Sequence, residues 1–237
     1  MIRIDNLIKE YQPDFKLEIP GLLINKESCS GIVGNNGAGK TTLLNLILDL
    51  IEPDEGVIEI NSISNKKTKW KKFTGSYLNE DFLFDFLYPF EYLTFICEFY
   101  NINKNELLKR LELFKDFIEL DIIIQNKKLI RHLSEGNKEK LGIISALIIN
   151  PQLIILDEPY SRLDPSSRVK LSDIFIYYKN NIKSTLFLSS HDLPNLVDVC
   201  DRIILIEDGI IRFDELTSNT TFSSLISYFK SRRFPGE

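Results

Sequence analysis

The stretch GIVGNNGAGKTTLLNLI, Gly31 to Ile47, decides how this chain reads. Gly34, Gly37 and Gly39 are crowded together, and Lys40, Thr41 and Thr42 stand directly before an apolar run. On the upstream side CSGIVG reads as a strand; on the downstream side Leu43, Leu44, Leu46, Ile47, Leu48 and Leu50 suit a buried helix. Strand, glycine loop and helix in that order make a cradle for an anion. Glycines let successive backbone N–H groups turn inward, and the helix adds the positive end of its dipole. Gly34 to Thr41, GNNGAGKT, matches GxxxxGK[ST], so the expected phosphate-binding residues are Gly34, Asn35, Asn36, Gly37, Ala38, Gly39, Lys40, Thr41 and Thr42. In such a loop the lysine reaches the β- and γ-phosphates of a nucleotide, and the Thr41 hydroxyl coordinates Mg²⁺.

Moving outward, MIRIDNLI and FKLEIPGLLI read as strands, EPDEG ends the first helix, and VIEI is a further strand. Residues 81–149 read as mostly helical, with NKNELLKRLELFKDF showing apolar spacings of three and four. Beyond them LIILDEP, STLFLSS and RIILIEDG are continuous apolar runs separated by helical segments, the pattern of strands buried on both faces of a parallel sheet. An α/β fold follows, with the helical middle inserted into it.

Asp157 and Glu158 in LIILDEP fall at the C-terminal end of a buried strand, the end at which open α/β sheets bind ligands. The first carboxylate can hold Mg²⁺ through its water shell, and the second can orient or deprotonate an attacking water.

Composition narrows the classes. A 237-residue chain with 43% hydrophobic and 27% charged residues can bury a substantial core. Its net charge of −5 gives no basic footprint for nucleic acid, so no nucleic-acid partner is expected. NKKTKWKK, Asn65 to Lys72, is the local exception and reads as a solvated loop. Cys29, Cys97 and Cys200 are scattered and odd in number, which suggests neither a disulfide framework nor a zinc site and fits a reducing cytoplasm. The charged N-terminus carries no secretory pattern, and Leu141 to Leu156 falls short of the roughly 20 residues that a spanning helix requires. The chain is not expected to cross a membrane by itself.

With these segments in place the chain resembles the ATP-binding cassette family, the nucleotide-binding subunits of ABC transporters, over Ile2 to about Phe213. The most specific element is Leu133 to Pro165, LSEGNKEKLGIISALIINPQLIILDEPYSRLDP. LSEGN corresponds to the family's LSGGQ signature, Ser161 to Asp164 to its D-loop, and LSSHD brings His191 to its switch-histidine position.

The resemblance implies a P-loop NTPase (RecA-like) parallel-sheet core with an N-terminal antiparallel β subdomain and an inserted helical subdomain. The expected boundaries are 1–78 and 151–216 for the core with its β subdomain, 79–150 for the helical subdomain, and 217–237 for a C-terminal helical tail. It further implies ATP and Mg²⁺ as cofactors, Glu158 and His191 as catalytic residues, and Thr41, Asp157 and Glu80 as metal ligands. Tyr11 corresponds to the aromatic that stacks on adenine, and its alternative is a strand tyrosine packed for its own burial. Ser134, Gly136 and Asp164 join the nucleotide-binding set. Two departures are visible: Glu80 stands where the Q-loop has glutamine, and Glu135 where the signature has its first glycine, so that a carboxylate lies between Ser134 and Gly136.

The resemblance also implies partners: a second ABC subunit, identical or not, and a separate transmembrane permease. The chain would sit in the cytoplasm, peripherally on the inner face of the membrane, and SYLNED looks like exporter-type relatives. The aromatic-rich segment Phe82 to Tyr100 follows the Q-loop position, where the family docks a helix of the membrane subunit, although core packing is the expectation for most of its side chains. The rival readings are a soluble ABC-type ATPase acting on DNA or ribosomes, and a P-loop phosphotransferase.

Overall fold

The computed structural model describes residues 1–11, 15–125, 128–191 and 193–218. In chain order the strands are β1 (Ile2–Tyr11), β2 (Phe15–Ile24), β3 (Cys29–Val33), β4 (Glu55–Ile60), β5 (Ile63–Ser64), β6 (Thr74–Tyr77), β7 (Leu153–Leu156), β8 (Thr185–Ser190), β9 (Arg202–Glu207) and β10 (Ile210–Leu216). The helices are α1 (Lys40–Ile47), α2 (Pro89–Phe99), α3 (Lys104–Leu111), α4 (Leu120–Ile124), α5 (Glu135–Leu147), α6 (Pro165–Tyr177) and α7 (Leu193–Val197). The expected tail, from residue 219 on, lies outside the described residues.

One sheet runs through the molecule in the order β5-β4-β1-β2-β10-β9-β3-β8-β7-β6. Its first part is antiparallel, as the resemblance implies, with β1 paired to β2 on one side and β4 on the other. Its second part, β9-β3-β8-β7-β6, is parallel throughout. β10 joins them, antiparallel to β9 and touching β2 at Ile210 and Glu18.

The apolar runs of the parallel strands are continuous because both faces are covered. Ile154, Leu156, Leu186, Leu188, Ile203 and Leu205 belong to one core, shared with α2 to α7. Their neighbours Leu153, Ile155, Phe187, Ile204 and Ile206 belong to another, shared with α1 and the antiparallel strands β1, β2 and β4. Each fully buried aliphatic contributes about 1.5 to 3 kcal/mol, so period-2 alternation was never required of these strands. Because β3, β6, β7, β8 and β9 are parallel, the loops that follow them emerge along one edge of the sheet.

Three local expectations change. The helix expected through NKNELLKRLELFKDF is α3 followed by a 3₁₀ turn over Glu112–Phe114. The tighter turn eclipses residues three apart and buries Phe114 and Phe117 together. NKKTKWKK is not simply a solvated loop. Trp70 plugs the second core and its Nε1 donates to the Asn65 carbonyl at 2.6 Å, while the surrounding lysines stay in solvent. In the aromatic segment core packing holds for Leu83, Tyr92, Leu93 and Cys97 but not for Phe82, Phe84, Phe86, Phe95 and Phe99, which are exposed. Phe84 gathers Phe86, Tyr92 and Phe95 around it with centroid separations of 6.0, 5.9 and 5.6 Å. Among the described residues no helix is long and apolar enough to cross a membrane.

Candidate functional site

The glycine loop leaves β3 at Gly34 and enters α1 at Lys40. Gly34 passes so close to β9 that a Cβ there would stand 2.3 Å from the Ile206 carbonyl oxygen. Gly39 caps α1 at φ +108°, a left-handed conformation that suits glycine, and a Cβ on it would press on the rings and methyls of Phe15 and Leu17. The Phe15 ring in turn lies 6.3 Å from that of Tyr11, which is exposed at the end of β1 with Lys9 Nζ 5.7 Å from its centroid. Tyr11 is thus an uncovered aromatic beside the loop, and its own burial does not account for it. Asn35, Asn36 and Gly37 are exposed, Ala38 is buried and Thr42 is half-buried. The Gly209 N–H donates to the Ala38 carbonyl at 3.0 Å, so the β9–β10 turn buttresses the loop.

Lys40 is buried and folds back over its own loop. Its Nζ donates to the Gly34 carbonyl at 2.7 Å and to the Asn35 carbonyl at 3.3 Å, and lies 3.2 Å from Glu158 Oε1. Thr41 Oγ1 donates to Asp157 Oδ2 at 2.6 Å. Asp157 is buried past the end of β7, and burial raises its pKa against the opposing pull of hydrogen bonds from Ser189 and Thr41. Glu158 adopts φ +49°, and its Oε2 accepts from the His191 N–H at 3.0 Å and lies 2.7 Å from His191 Nδ1. Its Oε1 is buried, near the Lys40 ammonium but without an aligned hydrogen bond. Loop, acidic pair and histidine, widely spaced in the chain, thereby meet at one edge of the sheet.

The donor set fits a divalent cation bound with a phosphate. A hydroxyl and a carboxylate are already in register, with a loop of backbone N–H groups alongside and one carboxylate oxygen, Glu158 Oε1, facing the Lys40 ammonium without an aligned hydrogen bond.

Glu80 is ion-paired with two cations. Its Oε2 pairs with Lys138 at 3.1 Å and its Oε1 with Arg162 at 2.9 Å, and these cations hold its pKa below the ordinary carboxylate value. With both oxygens engaged, the Glu80 carboxylate links Lys138 on α5 to Arg162, and to coordinate a metal it would have to leave one of these cations. Arg162 and Lys138 had no role in the sequence reading.

Ser134 is the N-cap of α5, accepting from the Asn137 N–H at 3.3 Å, and is exposed together with Glu135. Gly136 packs under the Arg162 carbonyl, 3.3 Å from where a Cβ would stand. Asp164 caps α6 through the N–H and hydroxyl of Ser167, which hold its carboxyl down at about 2. Cys29 and Cys200 are both buried as free thiols, their sulfurs 3.3 Å apart.

On the buried face of α5 lies a titratable group that no motif flagged. Glu139 on α5 is buried, accepts from the Tyr77 hydroxyl at 3.3 Å, and is lifted by burial to about 7. A carboxyl raised from its ordinary 4.5 stabilises the fold below that value and loses the contribution as pH climbs through 7. Glu139→Gln is therefore expected to gain about 2 kcal/mol on the native chain between about pH 5 and pH 8, read as the difference in urea unfolding. A difference that does not change with pH would show that Glu139 titrates normally.

Comparison with known proteins shows the family. A sequence model of the ABC transporter family (ABC_tran) matches residues 18–161. An uncharacterized ABC transporter ATP-binding protein of Synechocystis is 35% identical over 76% of this chain and 50% of its own length. The molybdate/tungstate import ATP-binding protein WtpC of Pyrococcus abyssi is 28% identical over 86% of this chain and 58% of its own. This chain thus spans little more than half the length of these relatives. The fold matches that of a dimeric bacterial ABC transporter cassette, MJ0796, with a TM-score of 0.80 and 23% identity over 92% of this chain and all of the other. The chain belongs to the ABC transporter family, among its ATP-binding proteins.

Proposed function

We propose that this chain binds ATP with Mg²⁺, hydrolyses it, and powers transport through a separate membrane subunit. The observation that carries the reading is the line Lys40–Glu158–His191: a carboxylate held between an ammonium and an imidazole at the mouth of the glycine loop, with one oxygen left without a hydrogen-bond donor. Backbone N–H groups from Asn35 to Lys40 would take the phosphates, Lys40 would leave its loop carbonyls for the γ-phosphate, and Tyr11 would stack on adenine. Thr41 and Asp157 would hold Mg²⁺, which when bound offsets phosphate charge. Glu158 would accept the proton of the attacking water, and His191 would orient that carboxylate and contact the γ-phosphate.

Ser134 and Gly136 would meet the nucleotide of a second cassette, identical or related, with Asp164 at the same boundary. Two such subunits arranged about a two-fold axis would enclose two ATP molecules, and loss of the γ-phosphate contacts would reopen them. The exposed cluster around Phe84 supports a membrane subunit as the element moved, and with such a partner the chain would sit at the inner face of the membrane. Export is the direction read from SYLNED, while WtpC is named for import, so direction rests on the membrane subunit.

Extraction of the protein from its native membranes in mild detergent tests the reading. An integral membrane protein should travel with it, and the pair should release phosphate from ATP. Isolation with ribosomes or DNA alone would favour the soluble rival, and transfer of the γ-phosphate to a small acceptor would favour a phosphotransferase.

A further inference from the structure

We propose that Ser189 is a positioning residue of this site, holding the Asp157 carboxylate and the Glu158 backbone with one hydroxyl. Ser189 is fully buried on β8, two residues before His191. Its Oγ donates to Asp157 Oδ1 and accepts the Glu158 N–H at 2.8 Å. Asp157 spends its other oxygen on Thr41, so the carboxylate is clamped between β8 and α1 with its plane set from both sides.

The second bond bears on Glu158. At φ +49° and directly before Pro159, this residue holds a conformation that a side chain with a Cβ and a following proline both disfavour. The Ser189 hydroxyl secures the N–H on which that turn depends, and the turn aims the carboxylate at Lys40 and His191. An apolar residue at 189 would fill the strand equally well but would leave a buried carboxylate oxygen and the half-buried Glu158 N–H without this partner. The same strand then delivers His191 to Glu158 Oε2, so β8 sets the site from two points in register.

The inference rests on the ATP and Mg²⁺ reading, and the test separates the two. ATP is titrated into the full chain with Mg²⁺ and again with EDTA, for the wild type, Ser189→Ala and Ser189→Thr, alongside phosphate release. Ser189→Ala should lose about tenfold of the affinity gained from Mg²⁺, the size of one hydrogen bond to a charged group, and a similar factor in kcat. Its affinity in EDTA should be unchanged. Ser189→Thr, which keeps the hydroxyl and suits a strand, should retain the gain. Equal losses with and without Mg²⁺, no loss at all, or a Thr variant as impaired as Ala would each overturn the role. Should Ser189→Ala fail to fold, Ser189→Cys keeps the volume with a much weaker donor, and wild-type behaviour there would overturn it too. If the wild type binds no ATP, the functional reading falls and this inference with it; if the wild type binds and Ser189→Ala matches it, only the Ser189 role is lost.

Discussion

Glu158→Gln is expected to lower phosphate release at saturating ATP and Mg²⁺ by at least about a hundredfold, the contribution of a general base. The amide is isosteric and its oxygen can still accept the His191 N–H that now meets Oε2 at 3.0 Å, so the loop geometry should survive. It cannot take a proton. Removing the negative charge 3.2 Å from Lys40 also leaves that ammonium without a competitor for phosphate, so nucleotide affinity should hold or rise. With binding intact and cleavage blocked, sedimentation in ATP and Mg²⁺ should show a dimer that persists where the wild type's decays. Phosphate release within about tenfold of wild type would remove Glu158 from the role of base.

Lys40→Ala should have the opposite signature, with affinity lost before catalysis can be measured. The side chain is 6% exposed, and its ammonium satisfies the Gly34 and Asn35 carbonyls while facing Glu158. Truncation strands the Gly34 carbonyl and the Glu158 carboxylate in a confined space and takes the only side-chain cation of GNNGAGKT from the loop. We expect ATP affinity to fall by about a hundredfold, corresponding to about 2.7 kcal/mol, in equilibrium titration. Lys40→Arg should not restore it, because a planar guanidinium cannot follow the path of an ammonium folded back over six residues of its own loop. An alanine variant that bound ATP within about tenfold of wild type would place the phosphates somewhere other than this loop.

Legibility differed between parts of the chain for physical reasons. The parallel strands could be read because burial on both faces demands unbroken aliphatic runs, and LIILDEP, STLFLSS and RIILIEDG supply them within three residues of the ends of β7, β8 and β9. The glycine loop could be read because an anion cradle needs particular backbone freedom at fixed spacing. The aromatic segment could not. Phe82 to Tyr100 has the composition of a core, and only the packing of α2 shows which rings face inward. Trp70 misled in the other direction: its lysine neighbours speak of solvent, whereas its indole is buried between Asn65 and the second core.

Glu80 shows the same limit inside the site. Its position in the chain gives no sign of the cations that it meets, Lys138 and Arg162, which lie 58 and 82 residues away. Ser189 in LSSHD gives no sign of its partners, since a serine on a strand carries no local signal of what its hydroxyl will meet.

Backbone chemistry and burial periodicity are local properties, written in adjacent residues, and from them the order of strand, loop and helix, the parallel core and the acidic pair could be derived from the amino acids alone. Which charges neutralise one another, which hydroxyl holds which carboxylate, and which aromatic faces remain in water depend on segments far apart in the chain. Those contacts exist only once β8 lies beside β7 and α5 lies against the edge of the sheet, because hydrogen bonds and ion pairs act over a few ångströms of space whatever the distance along the sequence.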